Sequence, residues 1–212
     1  VIVDNNSQLP ETLEFFDGIS KHPKVTVIRD ERPFNFSAIN NQAVKGVTTD
    51  IIGLVNNDLE VIDGDWLREM VSHAVRPDVG TVGARLLFPN DTIQHAGIIT
   101  GIGGTAGHSH KGFNRLDAGQ NARLQLIQNF SAVTAACLII RRSIFEELRG
   151  LDEEHFVVAF NDVDFGLRVQ KAGYFNVFTP YAELYHHESY SRGYEDTPEK
   201  KARFEKEAAF LK

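Results

Sequence analysis

The chain has 212 residues, of which 42% are hydrophobic and 24% charged, and it carries a formal net charge of −7. This is enough for one sizeable α/β core of ordinary soluble composition. An acidic balance with no basic stripe argues against nucleic acid as the main partner. No stretch approaches the ~20 apolar residues of a membrane span, and no signal-peptide pattern is present. The single cysteine, Cys137, lies in the apolar run Ala135–Ile140. It reads as an inert core residue, and no disulfide can form within the chain. A reducing, cytoplasmic setting is expected.

Val1-Ile2-Val3-Asp4 is already the inside and end of a strand, and the only methionine is Met70. The chain therefore reads as a piece of a longer one, or one lacking its opening residues. The turn cluster Asn5-Asn6-Ser7 follows, with Ser7 as N-cap and Pro10 in the first turn of a helix over Glu11–Ser20. Val25–Ile28 is the next strand, and Phe34–Ser37 leads into a helix that stops near Gly46. Ile51, Ile52, Leu54 and Val55 lack helical spacing and read as a strand buried on both faces. A helix over Asp65–Val75, with Trp66, Met70 and Val71 inward, and a strand over Val79–Ala84 complete the first half. Such alternation predicts a mostly parallel sheet flanked by helices.

The second half departs from that pattern. Ile93–Thr100 reads as one extended segment and Gly101–Gly107 as an irregular, flexible lid, because glycine offers no side chain to pack. Val133–Ile140 is a buried strand and Ser143–Leu148 a short helix. Phe160–Ala172 is a longer helix, ended by Gly173. Phe175–Phe178 and Glu183–His187 read as two short strands, and Thr197–Lys212 as an amphipathic helix. No repeat or linker interrupts the chain, so a single domain over residues 1–212 is expected.

Polar chemistry concentrates at strand ends, where ligands sit in open α/β sheets. Asp4 ends the first strand, and Asn56-Asn57-Asp58 ends the third. A carboxylate there suits a hard divalent cation, although Asn and Asp also serve simply as turn residues. Asp162 and Asp164 open a helix after the apolar run Phe156–Phe160. They either complement the helix dipole or place a partly buried general base at Asp162. His186 and His187 end an apolar strand and are candidate ligands. Zinc is the weaker idea, with one cysteine and no HExxH. An EF-hand starting at Asn56 fails, because Val61 and Leu67 fill its Gly and Glu positions.

Several motifs together resemble the family-2 inverting glycosyltransferases, in the bacterial branch that builds O-antigen and other surface polysaccharides. They are Val3–Ser7, Leu54–Asp58, Gly83–Pro89, Ile93–Gly97, Thr134–Cys137, Phe160–Arg168 and Leu184–Gly193. The resemblance implies a GT-A fold, here with a small antiparallel extension and without the family's first strand and helix. It implies a metal-dependent hexosyltransferase that takes sugar from a nucleotide diphosphate donor to a saccharide or lipid-linked saccharide acceptor. Asp162 matches the catalytic base, and Asp58 and His186 match ligands to Mn²⁺ or Mg²⁺. Asp4, Asn6, Ser7, Asn40, Asn56 and Asn57 fall on the donor nucleotide, and Asp164 and Arg168 on the acceptor. Position 56 is Asn where the family's DxD has its first Asp. Peripheral membrane association has room in this picture. A sugar nucleotidyltransferase and a non-catalytic sugar- or nucleotide-binding domain remain the alternatives.

Overall fold

The computed structural model describes residues 1–188 and 197–211. In chain order it begins β1 (Ile2–Asp4), α1 (Pro10–Ile19), β2 (Val27–Arg29), α2 (Phe36–Lys45), β3 (Ile51–Val55) and β4 (Leu59–Val61). There follow α3 (Trp66–Ala74), β5 (Val79–Leu87), β6 (Ile93–His95), β7 (Ile98–Thr100) and β8 (Ala106–His108). Then come β9 (Gln128–Phe130), β10 (Cys137–Arg141), α4 (Arg142–Glu147), α5 (Asn161–Lys171), β11 (Phe175–His186) and α6 (Pro198–Leu211). Lys212 and Ser189–Gly193, the last part of the final motif, lie outside the described residues.

The main sheet runs β3-β10-β5-β11-β4, with β6 added on β5 and β9 on β11. It is mixed, not mostly parallel. Among the described residues only β5–β11 pairs in parallel within it, and β1–β2 forms a separate parallel ladder. The alternation of the first half misleads because β10 comes between β3 and β5 in the sheet. The chain reaches β10 only after the long excursion through β6–β9, and it enters antiparallel to both neighbours. β3 is accordingly an edge strand. Ile52 and Leu54 are buried, while Gly53 and Val55 face outward, so the strand has one buried face instead of two.

β10 carries the core on both of its faces. Leu138 and Ile140 join Phe145 of α4 and Phe165 and Val169 of α5 in one cluster. Cys137 and Ile139 join Met70 and Ala74 of α3 in the other. Burial pushes the Cys137 thiol up to about 12, which keeps it protonated and inert.

Two further expectations change at particular residues. The two short strands expected after Gly173 are one strand, β11, whose register with β5 slips between Thr179 and Glu183. Pro180 sits inside that slip and has no N–H for the ladder, so the strand bulges there and resumes. The single extended segment over Ile93–Thr100 is broken at Gly97, where φ is 90° and an added Cβ would lie 2.4 Å from the Phe130 ring. The Gly-rich stretch after it is no irregular loop. It forms the turn and returning strand of the β7–β8 hairpin, with Ile98 opposite His108 and Gly101 N–H bonded to Thr105 O at 2.7 Å.

Gly166 lets α5 approach the segment before β10. A Cβ there would come within 2.4 Å of Ala132 Cβ and 2.8 Å of its Cα. The Ala132 backbone cannot retreat cheaply, so overpacking of ~1–3 kcal/mol outweighs the ~1 kcal/mol helix gain of Gly→Ala. Gly166→Ala is therefore expected to lower the Tm, by up to about 8 °C. An unchanged melting curve would show that α5 can slide on this contact.

Candidate active site

The β4–β11 ladder pairs Leu59 with His186, which sets Asp58 beside the end of β11. The His187 N–H also bonds to the Asp58 carbonyl at 2.9 Å. Across this junction His186 Nε2 lies 3.1 Å from Asp58 Oδ1, and both side chains are largely buried. The two atoms are close but not aligned, and Asp58 Oδ1 has no hydrogen-bond partner. On its other side His186 Nδ1 is 2.6 Å from Gln94 Oε1, and the same amide donates to Glu188 at 3.1 Å. An amide oxygen only accepts, so the proton sits on Nδ1 and the Nε2 lone pair faces Asp58. When Nε2 also carries a proton, the His186 ring donates toward Asp58 and holds its carboxyl below the usual carboxylate range, against the effect of burial; a divalent cation would take that proton's place. A buried, orphaned carboxylate oxygen beside an imidazole lone pair fits a divalent cation. Among the described residues no third His, Cys, Asp or Glu converges on the pair. Open positions on an ion there would fall to water or to a ligand's oxygens.

Asp162 is tied to the segment just before β10. Its Oδ1 accepts from its neighbour Val163 N–H at 2.8 Å, and its Oδ2 from Ala135 N–H at 3.3 Å. The next residue, Ala136, accepts from the Asn56 N–H at 2.9 Å. One short segment therefore links Asp162 to the turn that bears Asp58. Phe160, just before this helix, has φ 58° and ψ 4°, a left-handed conformation that is unusual for a bulky residue. Nearby bonds hold it there. Asn161 donates to Val158 O at 2.6 Å, and the Ala159 N–H donates to Glu207 of α6 at 2.6 Å.

Glu207 is buried, and that burial pushes its carboxyl up, against the backbone bonds and Arg203 that favour the ion. Its stabilising effect is complete below the ordinary carboxylate pKa and declines as pH rises through the raised one. Removing it strands the Val158 and Ala159 N–H groups. Glu207→Ala should therefore cost ~1–3 kcal/mol at acid pH. The gap from wild type, measured by urea unfolding, should narrow towards neutrality. A gap that widens with pH would reverse the assignment.

The donor-side candidates gather on the β1–β2 ladder and at the end of β3. Asp4 accepts from Ser7 N–H at 2.8 Å and from Arg29, which also bonds Asn6 Oδ1 at 2.6 Å. Burial opposes ionisation of Asp4, but the Ser7 and Arg29 bonds outweigh it and hold its carboxyl low. Asn40 bonds back to Phe36 O in its own helix at 2.8 Å. The start of that helix is pinned to the segment before α5 by Ser37 Oγ on Phe156 O at 2.6 Å. Asn56 and Asn57 make no side-chain hydrogen bond among the described residues.

Asp164 and Arg168 are not brought into this group. Arg168 bonds Asp164 at 2.7 and 2.9 Å and the Leu148 and Gly150 carbonyls at 2.7 and 2.9 Å. Four of its five N–H donors bind Asp164 and tie α5 to the end of α4, which gives the pair a scaffold role. Sequence reasoning also passed over Gln94 and Arg29, which touch His186 and Asp4 from distant segments, and Glu207, which holds the backbone ahead of Asp162. Gln94 alone carried a signal, standing inside the Ile93–Gly97 motif.

Comparison with known proteins accords with this geometry. The sequence pattern of the family described as Glycosyl transferase family 2 matches residues 1–149. The uncharacterised protein y4gI of Sinorhizobium fredii (strain NBRC 101917 / NGR234) is 55% identical over 213 residues, covering 100% of this chain and 23% of that protein. The O-antigen biosynthesis protein RfbC of Myxococcus xanthus is 42% identical over 203 residues, covering 94% of this chain and 16% of that protein. The chain thus spans less than a quarter of either relative. A solved structure of GalNAc-T7 with UDP, GalNAc and Mn²⁺ superposes with a TM-score of 0.70 at 15% identity, over 87% of this chain and 36% of that one. The fold is the GT-A glycosyltransferase fold. The chain belongs to glycosyl transferase family 2.

Proposed function

We propose that this chain is the catalytic unit of a metal-dependent, inverting hexosyltransferase that serves bacterial surface polysaccharide synthesis. The observation that carries the reading is the unaligned 3.1 Å contact between Asp58 Oδ1 and His186 Nε2, linked through Ala135–Ala136 to Asp162. The likeness to an O-antigen biosynthesis protein and to a fold neighbour solved with UDP and Mn²⁺ supports it.

Asp58 and His186 would hold Mn²⁺ or Mg²⁺, which would supply positive charge to offset that gathering on the departing diphosphate. Asp4, Asn6 and Ser7, locked by Arg29, form the wall against the donor nucleotide, with Asn40, Asn56 and Asn57 beside it. Asp162 takes the proton of the acceptor hydroxyl. As that oxygen bonds to the anomeric carbon, the bond to the phosphate oxygen breaks, and its electron pair leaves with the nucleoside diphosphate. The two N–H bonds to Asp162 orient the carboxylate and leave lone pairs for this proton. No covalent sugar–enzyme intermediate forms, so configuration inverts. The acceptor is a saccharide or lipid-linked saccharide, met in the cytoplasm, where nucleotide sugars are made. No described helix is long and apolar enough to cross a membrane.

The test is nucleoside diphosphate release by the full-length protein from a panel of UDP-, GDP- and dTDP-linked hexoses, with Mn²⁺ and after chelation. Metal-dependent release from at least one donor is expected. Nucleotide binding without release from any donor would favour a non-catalytic binding domain.

A further inference from the structure

The most constrained polar group outside the residues assigned above is His95, which is fully buried at the end of β6. Its Nε2 faces two backbone N–H groups, those of Gly97 and Thr134, each at 3.3 Å. Those groups only donate, so Nε2 accepts and the ring's proton is on Nδ1. That Nδ1 lies 2.8 Å from Nδ1 of His108, across an edge-to-face contact of the two rings. Two nitrogens at this distance share one proton. His95 donates it, so the neutral His108 ring carries its own proton on Nε2. Burial lowers the pKa of both rings, His95 the further, which keeps the order of protons intact. The relay ends on a His108 Nε2–H that has no hydrogen-bond partner among the described residues.

His108 lies within electrostatic range of both halves of the site. Asp162 acts on its charge from the base side, and Glu188 and His186 act from the cation side, with Lys111 also in range. His95 governs the same junction through the chain. Thr134 N–H rests on His95, and the next N–H, that of Ala135, rests on Asp162. A satisfied core histidine pair would use up its donors, and this one leaves its last donor over for a ligand.

We propose that His108 Nε2–H donates a hydrogen bond to an oxygen of the sugar being transferred, and that His95 is the positioning residue that fixes its tautomer. This rests on the transferase reading above. Two variants of similar size separate donor position from bulk. His108→Gln places an N–H group near the former Nε2, and His108→Asn places one near the former Nδ1. In the release assay with the full-length protein, His108→Asn should lose about 10–100-fold in kcat at little-changed KM, and His108→Gln should recover most of it. Equal activities for the two variants would overturn the proposal.

Ring ¹⁵N shifts read the tautomers independently of turnover, and should give Nδ1–H at His95 and Nε2–H at His108. Nucleotide hexoses should move the His108 Nε2–H signal more than UDP, GDP or dTDP alone. A His108 proton on Nδ1, or a signal no more sensitive to nucleotide hexose than to bare nucleotide, overturns the sugar contact even in an active enzyme. Absence of release by wild type from every donor removes the transferase reading and the sugar contact with it.

Discussion

Asparagine at position 162 is expected to cut transfer by about 10²–10⁴-fold and to leave nucleotide binding close to wild type. Asn keeps the oxygen that accepts from Val163 or from Ala135, and so keeps most of the local frame, but it takes no proton. The frame itself is held from elsewhere, by Glu207 on the Ala159 N–H and by Asn161 on Val158 O. Loss of turnover therefore cannot be blamed on collapse of the helix start, and an unchanged Tm for Asp162→Asn would document that. Asp164→Asn should act differently. It loosens the ion pair with Arg168 and lowers stability, since Arg168 braces α5 on the Leu148 and Gly150 carbonyls. The decisive comparison is kcat/KM beside Tm for the two variants. Full turnover by Asp162→Asn alongside loss in Asp164→Asn would move the base to Asp164.

How much of this was legible in the sequence differs by element. Helices with an apolar stripe and a clear stop, such as α2 ending near Gly46 and α5 ending before Gly173, were readable because local chemistry alone sets them. Strand pairing was not. Nothing in Cys137–Arg141 reveals that this strand inserts between β3 and β5 and turns the sheet mixed, because that order is set by long-range packing. The glycines at 101–107 misled for a related reason. Glycine signals permissive backbone, and a tight hairpin turn uses that freedom as well as a loose loop does.

The candidate site was legible at the ends of strands and invisible between them. Asp58 and Asp162 announced themselves as carboxylates after apolar runs. That His186 would stand 3.1 Å from Asp58 depended on a ladder between segments 127 residues apart. Gln94, which turns the His186 ring, comes from yet another strand. Asp164 and Arg168 illustrate the converse. Their types and position suit substrate binding, and only tertiary structure reveals that carbonyls at the end of α4 take up the arginine.

Mn²⁺ is expected to raise the melting temperature most when UDP or GDP is also present, and Asp58→Asn should abolish that increment. With two protein ligands, an ion at Asp58 and His186 would be held weakly unless diphosphate oxygens added to its ligands. Binding to the folded state stabilises it by mass action, ~2.7 kcal/mol at a hundred times the Kd, which for a chain of this size is roughly 5–11 °C. Asn at 58 keeps the shape but loses the charge that faces the His186 lone pair, and transfer should fall with the thermal shift. Gln94→Ala provides a graded control. It removes the oxygen that keeps the proton on His186 Nδ1, so the ring can present the wrong nitrogen state to the ion. Losing such an outer partner typically weakens metal affinity about 10–100-fold. The expected order of Mn²⁺ affinity by calorimetry, in the presence of nucleotide, is wild type, then Gln94→Ala, then Asp58→Asn. A thermal shift that survives Asp58→Asn would place the ion elsewhere. A shift lost in Asp58→Asn but untouched in Gln94→Ala would keep Asp58 as ligand and leave the ring orientation to some other contact.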